Sequence, residues 1–206
     1  MGKANFYRIT IIFSILCLFS TPGWGVDRPL DGEEIVINLH EVLLTAMKSE
    51  KSLGHAGRID IIRKIVSESF NFPLISKVVL GAKWKVLSDE DKQEFVSVMR
   101  SLSISTYAHH FSNYSGQKFV IVERKSRNNN SLSLSVSLLS DNGDRTSLKY
   151  LLRKGTEGWL IINVISEGVS DLALKKAEYS YIIEKDGIKS LLRQLTTKIE
   201  ALKELG

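Results

Sequence analysis

The sequence predicts an α+β fold, a four-stranded antiparallel meander packed with about six helices. Three observations carry this expectation. Apolar residues recur at helical spacing as far as Phe111, at a period of two from Phe119 to Ile165, and at helical spacing again beyond Asp171. Ser131-Leu132-Ser133-Leu134-Ser135-Val136-Ser137-Leu138 alternates without a fault, the pattern of a half-buried antiparallel strand. Asp141-Asn142-Gly143-Asp144 then supplies a strong hairpin turn.

The elements follow in order. Asp31-Gly32-Glu33-Glu34 reads as a capping box, and Ile35, Leu39, Val42, Leu43, Ala46 and Met47 behind it mark an amphipathic helix. A second helix follows Gly57, with Ile59, Ile62, Ile65, Val66 and Phe70 on one face. Pro73 restarts the chain in a first helical turn. Leu74, Ile75, Val78, Val79 and Leu80 then make a short helix that is apolar on most of its surface. Such a helix must be buried or face a ligand. Ser88-Asp89-Glu90-Asp91 caps a longer helix carrying Phe95, Val98, Met99, Leu102, Tyr107 and Phe111, with Gly116 at its expected end.

Phe119–Val122 is the first strand, and Lys125–Asn130 reads as a polar, mobile hairpin loop. After the alternating second strand, Leu148, Tyr150 and Leu152 continue the inward face, and Trp159–Ile165 forms the fourth strand. Ser170-Asp171 caps a helix over Leu172–Lys185, and Gly187 stops it. A last helix carries Ile188, Leu192, Leu195, Ile199 and Leu202.

The first residues indicate the compartment. Lys3 and Arg8 precede the apolar run Ile9–Phe19, and Pro22, Gly23 and Gly25 supply a small-residue site. This is the form of a secretory signal peptide over residues 1–25, leaving 26–206 as one domain. The run is shorter than the roughly 20 residues that span a bilayer. Cys17, the one cysteine, lies inside it, so the exported chain is expected to have neither disulfide nor thiolate nucleophile. Removing Lys3 and Arg8 lowers the formal net charge from +5 to +3. The remaining basic residues are dispersed, and no stripe suited to nucleic acid is visible.

Chemistry-bearing patterns are weak. His40 and His55 are isolated, and adjacent His109 and His110 point to different sides of a helix, so no metal site is expected. Ser115-Gly116-Gln117-Lys118 and Ser140-Asp141-Asn142 match two motifs of penicillin-binding enzymes. Their context is wrong, because Ser115 falls where a helix ends and Ser140–Asn142 on a hairpin turn. The third element is also out of order, as Lys154-Gly155-Thr156. No enzyme activity and no cofactor are expected. The apolar faces are generous for one domain of about 180 residues. They make either a well-filled core or the lining of an apolar pocket.

At Phe70-Asn71-Phe72-Pro73-Leu74-Ile75-Ser76-Lys77-Val78-Val79-Leu80-Gly81-Ala82-Lys83-Trp84 and Asp91-Lys92-Gln93-Glu94-Phe95 the chain resembles the MlaC/toluene-tolerance family of periplasmic lipid-binding proteins. Thr106-Tyr107-Ala108, Tyr114–Lys118, Trp159 and Glu167-Gly168-Val169-Ser170 extend the resemblance in the same order. It implies helices and sheet around a pocket for lipid tails, and a carrier that shuttles lipid between envelope membranes in the periplasm. It also implies membrane-bound lipid transporter components as partners. Asn163 stands where these carriers tend to have Asp, and Asp171–Tyr179 is more similar to the HpnM branch associated with hopanoids. The lipid is then a phospholipid or a hopanoid-like polycyclic molecule. Phe72, Leu74, Ile75, Val78, Val79, Phe95, Val98, Met99, Leu102 and Tyr107 are the expected helical wall of the pocket. Leu134, Val136, Leu148, Tyr150 and Leu152 are its expected sheet wall. A non-catalytic interaction module with a filled core is the other reading.

Overall fold

A computed structural model describes residues 31–204, so the expected signal peptide and Cys17 lie outside the described residues. Helix α1 (Gly32–Lys48) starts on the predicted capping box, in which the Asp31 amide donates to Glu34 Oε2 at 2.6 Å. Its buried face is Val36, Leu39, His40, Leu43, Ala46 and Met47. Helix α2 (Glu50–Ser69) contains a break at Gly54, and α3 (Phe72–Leu80) starts with Pro73 in its first turn. The Asn71 side chain accepts from the Leu74 amide at 3.0 Å and so caps α3. A 3-10 segment, Gly81–Val86, leads to α4 (Asp89–His110), capped by Ser88, whose Oγ accepts from the Asp91 amide at 3.0 Å.

Five antiparallel strands follow, β1 (Lys118–Asn128), β2 (Ser131–Leu139), β3 (Arg145–Gly155), β4 (Gly158–Ser166) and β5 (Val169–Ser170), paired in sequence order. The predicted meander is present, with a fifth strand of two residues added where the chain folds back on Ile165 and Ser166. Among the described residues the helical part comprises five α-helices, the last of which, α5 (Asp171–Glu204), is bent at Gly187 into the two segments expected there.

The strand parity read from the sequence holds. Val136 faces Leu148, Leu134 faces Tyr150 and Leu132 faces Leu152 across the β2–β3 ladder, and all six are buried. These side chains form the core together with α1, α2 and α4. The polar stretch Lys125–Asn130 is not a loop throughout. It continues β1 as far as Asn128, pairing Arg124 with Leu134 and Ser126 with Leu132, and only Asn129 and Asn130 make the turn. Here β1 is held by its ladder and by Arg124, which reaches Glu33 at 2.8 Å and Asp31 at 3.1 Å on α1. Its own apolar pattern contributes little, which is why periodicity does not report it.

Likewise α4 stops at His110 rather than running to Gly116. Gly116 is needed for another reason. Its φ of 70° and its contact with the Asp141 carboxylate leave no room for a Cβ, so the turn can dock on the β2–β3 hairpin.

Candidate lipid-binding cleft

The cleft lies where α3, α4, the start of α5 and strand β4 meet. Two local features aim residues into it. The chain between α2 and α3 is stitched to the sheet, with Phe70 bridging Ile161 and the Asn71 amide donating to the Ile161 carbonyl at 2.9 Å. This places Phe70, Phe72 and Ile75 on one wall. In β4 the ladder skips Ile162, since Leu152 pairs with Ile161 and Leu151 with Asn163. Such a bulge re-aims side chains, and Ile162, Asn163 and Val164 all line the cleft.

Helix α4 contributes Met99, Leu102, Ser103, Thr106 and Tyr107, and α5 contributes Asp171, Leu172 and Lys175. The lining is mainly apolar, with its charges confined to the α5 side. Its volume is about 140 Å³. That is close to a cavity of roughly 150 Å³ that takes a single benzene ring. It is well below the roughly 300–1,000 Å³ of sites that enclose larger ligands.

An aromatic chain connects the cleft to the deep core. Phe72 lies 5.9 Å from Phe70, Phe70 lies 5.8 Å from Tyr107, and Tyr107 stacks 5.6 Å from Phe111. Phe111 meets Phe119 at 6.1 Å, and Phe119 stacks on His40 at 3.9 Å. His40 Nε2 and the Tyr150 hydroxyl are hydrogen-bonded at 3.0 Å. Burial raises the Tyr107 phenol well above its ordinary value, with smaller contributions from Tyr150 and the Asp171 carboxylate. Tyr107 is therefore a neutral wall of the cleft at physiological pH.

The polar end is built around the start of α5. Asn163 Oδ1 accepts from the Leu172 amide at 3.3 Å, and its amide nitrogen donates to Ser170 Oγ at 3.0 Å. Ser170 Oγ in turn accepts from the Ala173 amide at 3.1 Å. Asp171 and Lys175 form an ion pair one helical turn apart.

Of the helical wall residues expected from the sequence, Phe72, Ile75, Met99, Leu102 and Tyr107 come together around this cleft. Val79 and Phe95 are buried in the core, Leu74 is half-buried, and Val78 is 39% exposed. Val98 lies on the other side of α4, lining a groove with Ile59 and Ile199. The expected sheet wall, Leu134, Val136, Leu148, Tyr150 and Leu152, is buried core and does not line the cleft. Strand β4 takes that place, together with Phe70, Ser103, Thr106, Asp171, Leu172 and Lys175, none of which was expected as a wall. Signals for some of them existed. Asn163 departs from the family pattern and Ser170-Asp171 reads as a cap, but the bulge that turns Ile162 has no mark in the sequence.

Elsewhere, the Ser115 and Ser140–Asn142 motifs do approach, with the Asp141 amide donating to the Ser115 carbonyl at 3.1 Å. Both lie in exposed turns, and Ser115 opens no helix. Among the described residues no group of three or more His, Cys, Asp or Glu side chains is placed to hold a metal ion. Among the same residues, no helix is long and apolar enough to cross a membrane.

Helices packed on one antiparallel sheet, with a narrow apolar cleft at their side and charges at its edge, define an α+β binding scaffold. Residues 38–197 match the family model described as MlaC protein, and the chain belongs to that family. It is 29% identical over 139 residues to the intermembrane phospholipid transport system binding protein MlaC of Haemophilus influenzae. That match covers 66% of this chain and 65% of the relative, so the chain spans a little under two thirds of the curated relative's length. The fold is also similar to that of the phospholipid-binding protein from Ralstonia solanacearum solved in complex with a phospholipid. There the TM-score is 0.72 at 20% identity, covering 84% of this chain and 99% of that one.

Proposed function

We propose that this protein is a soluble periplasmic lipid carrier that holds lipid tails in the cleft and shuttles lipid between envelope membranes. Membrane-bound transporter components would load and unload it. The observation that carries this reading is the cleft itself, apolar within and charged only at the α5 edge, in a chain of the MlaC family. The phospholipid transport system to which the Haemophilus relative belongs and the phospholipid bound in the Ralstonia protein support it. An amino-terminal segment of signal-peptide form fits the compartment.

The energetics set a condition. Taking a sixteen-carbon chain out of a membrane forfeits on the order of 12 kcal/mol, at roughly 0.8 kcal/mol per methylene. Only a dry apolar lining of comparable extent offsets that loss. A cleft of about 140 Å³ does not provide it, so loading must widen the cleft. A hopanoid-like ligand is the second reading, favoured by the likeness of Asp171–Tyr179 to the HpnM branch.

Native mass spectrometry of protein from an envelope fraction, followed by solvent extraction, tests the proposal. A discrete added mass extracting as phospholipid supports it, and a polycyclic terpenoid moves the assignment to the second reading. A mass that stays unliganded after incubation with membranes overturns both and favours an interaction module with a filled core.

A further inference from the structure

We propose that a groove beside α4, separate from the cleft, docks a short acidic segment with an apolar face, carried by a protein partner in the envelope. This rests on the carrier reading, which requires a partner to load and unload lipid. The groove holds about 320 Å³ and lies between the start of α3, the 3-10 segment and α4. Pro73, Trp84 and Val96 make it mainly apolar, and Lys92 and Arg100 stand along it. Trp84 and Val96 are half-buried, so the core leaves part of each uncovered. Tryptophan and arginine are residue types on which protein interfaces concentrate their energy.

The charge around the groove is one-sided. No acidic residue occurs between Glu68 and Asp89, a stretch that carries Lys77, Lys83 and Lys85. Lys83 and Lys85 flank Trp84 and are exposed, and Arg100 rests over the Phe72 ring at 5.7 Å. Among the described residues, Lys83, Lys85 and Arg100 have no ion-pair partner. The acids at the start of α4 are mostly engaged already. Asp89 pairs with Lys92, and Asp91 and Glu94 pair with Lys189 on α5, which leaves Glu90. The surroundings of the groove therefore keep a positive excess.

Concavity favours a polypeptide over a bilayer. A membrane surface presses on protruding side chains but does not enter a groove, whereas a helix sets an apolar side chain into it. From Lys92 to Arg100 α4 rises about 12 Å, roughly two helical turns. A segment of that length fits if it turns leucine or an aromatic residue toward Trp84 and Val96. Its Asp or Glu side chains would then meet Lys83, Lys85 and Arg100. Phe72 lines the cleft and Pro73 the groove, so a partner seated here lies beside the cleft wall.

The test produces the full chain in its native cells with a photo-crosslinking amino acid in place of Gln93, which is exposed and lines the groove. A control carries it in place of Lys149, exposed on β3. Crosslinked peptides are then sequenced. Adducts at position 93, absent at position 149, should map to an acidic stretch of an envelope protein. Lys83→Glu/Lys85→Glu should lower their yield by about tenfold, with the lipid mass on the purified protein unchanged. Adducts to lipid would make the groove a membrane-facing surface, and adducts to a second copy of the chain a self-association site. Either result overturns the proposal, as does a yield no higher than the control or one that charge reversal leaves unchanged. A purified wild type without lipid overturns the carrier reading, a result independent of where position 93 crosslinks.

Discussion

His40 is neutral in the fold because burial pushes its imidazole down to about 3, while it keeps one hydrogen bond to Tyr150. Its ordinary value is near 6.5, so the unfolded chain binds the proton more readily than the native state. The stability this neutral form confers is complete above pH 6.5 and is lost as pH falls from there toward 3. Within that window the loss is about 1.4 kcal/mol per pH unit from this group. His40→Gln should flatten the acid limb of a urea-denaturation series run between pH 4 and 7, and an unchanged slope would remove His40 as its source. Ser76 presents the opposite case, a fully buried hydroxyl without a hydrogen-bond partner among the described residues. Ser76→Ala removes that desolvation cost, so stability should rise by about 1 kcal/mol and Tm by roughly 2–4 °C. At the cleft, Ile75→Glu should lower lipid occupancy in a folded protein, because Ile75 is only half-buried there. Val79→Glu and Val136→Glu place a charge in the core and should instead unfold the domain, as circular dichroism would show.

Among the elements, α5 is the one whose shape matters most to the site. Gly187 bends it with φ 78° and ψ 170°, a conformation closed to side-chain-bearing residues. Beyond the bend Leu191, Leu192, Leu195 and Ile199 are buried, and Lys189 bridges Asp91 at 2.9 Å and Glu94 at 2.8 Å on α4. Before the bend the helix offers the core only Tyr179 as a fully buried anchor, set against Phe95 at 6.3 Å. One helix therefore has a firmly docked half and a lightly docked half, and the second of these borders the cleft. Gly187→Ala should cost about 1–3 kcal/mol in equilibrium unfolding. It should also reduce lipid retention, since a straightened α5 cannot keep both halves seated. Stability and retention equal to wild type would show that the bend is incidental.

At the scale of the whole molecule, the proposed carrier role requires the narrow cleft to open. The sheet and α1, α2 and α4 form one continuous core, which α3 joins through Phe72, Val79 and Leu80 and α5 through Tyr179 before the bend and Leu191, Leu192, Leu195 and Ile199 beyond it. The carrier reading predicts that the wall that moves is the stretch Asp171–Asp186, which Tyr179 alone anchors as a fully buried side chain before the bend at Gly187. Hydrogen exchange should show lipid removal raising exchange in that stretch by several-fold, with little change beyond Gly187. Equal protection in loaded and delipidated protein would locate the opening elsewhere.

Much of this architecture is legible in the residues. The capping box at Asp31, the Pro73 start, the serine–apolar alternation of β2 and the stop at Gly187 are local, and local chemistry decides them. Parity along β2 and β3 likewise fixes that Leu134, Val136, Leu148, Tyr150 and Leu152 point inward. Inward is as far as a period of two reaches, for it cannot separate a packed core from a cavity wall. That distinction belongs to the layer facing each strand. Here α1 and the other helices fill the space over β2 and β3, whereas the bulge at Ile162 and the bend at Gly187 leave a cleft beside β4. Periodicity thus determined the elements and their buried faces. Tertiary packing alone decided which apolar side chains meet each other and which meet a gap, because a gap is set by residues far apart in the chain.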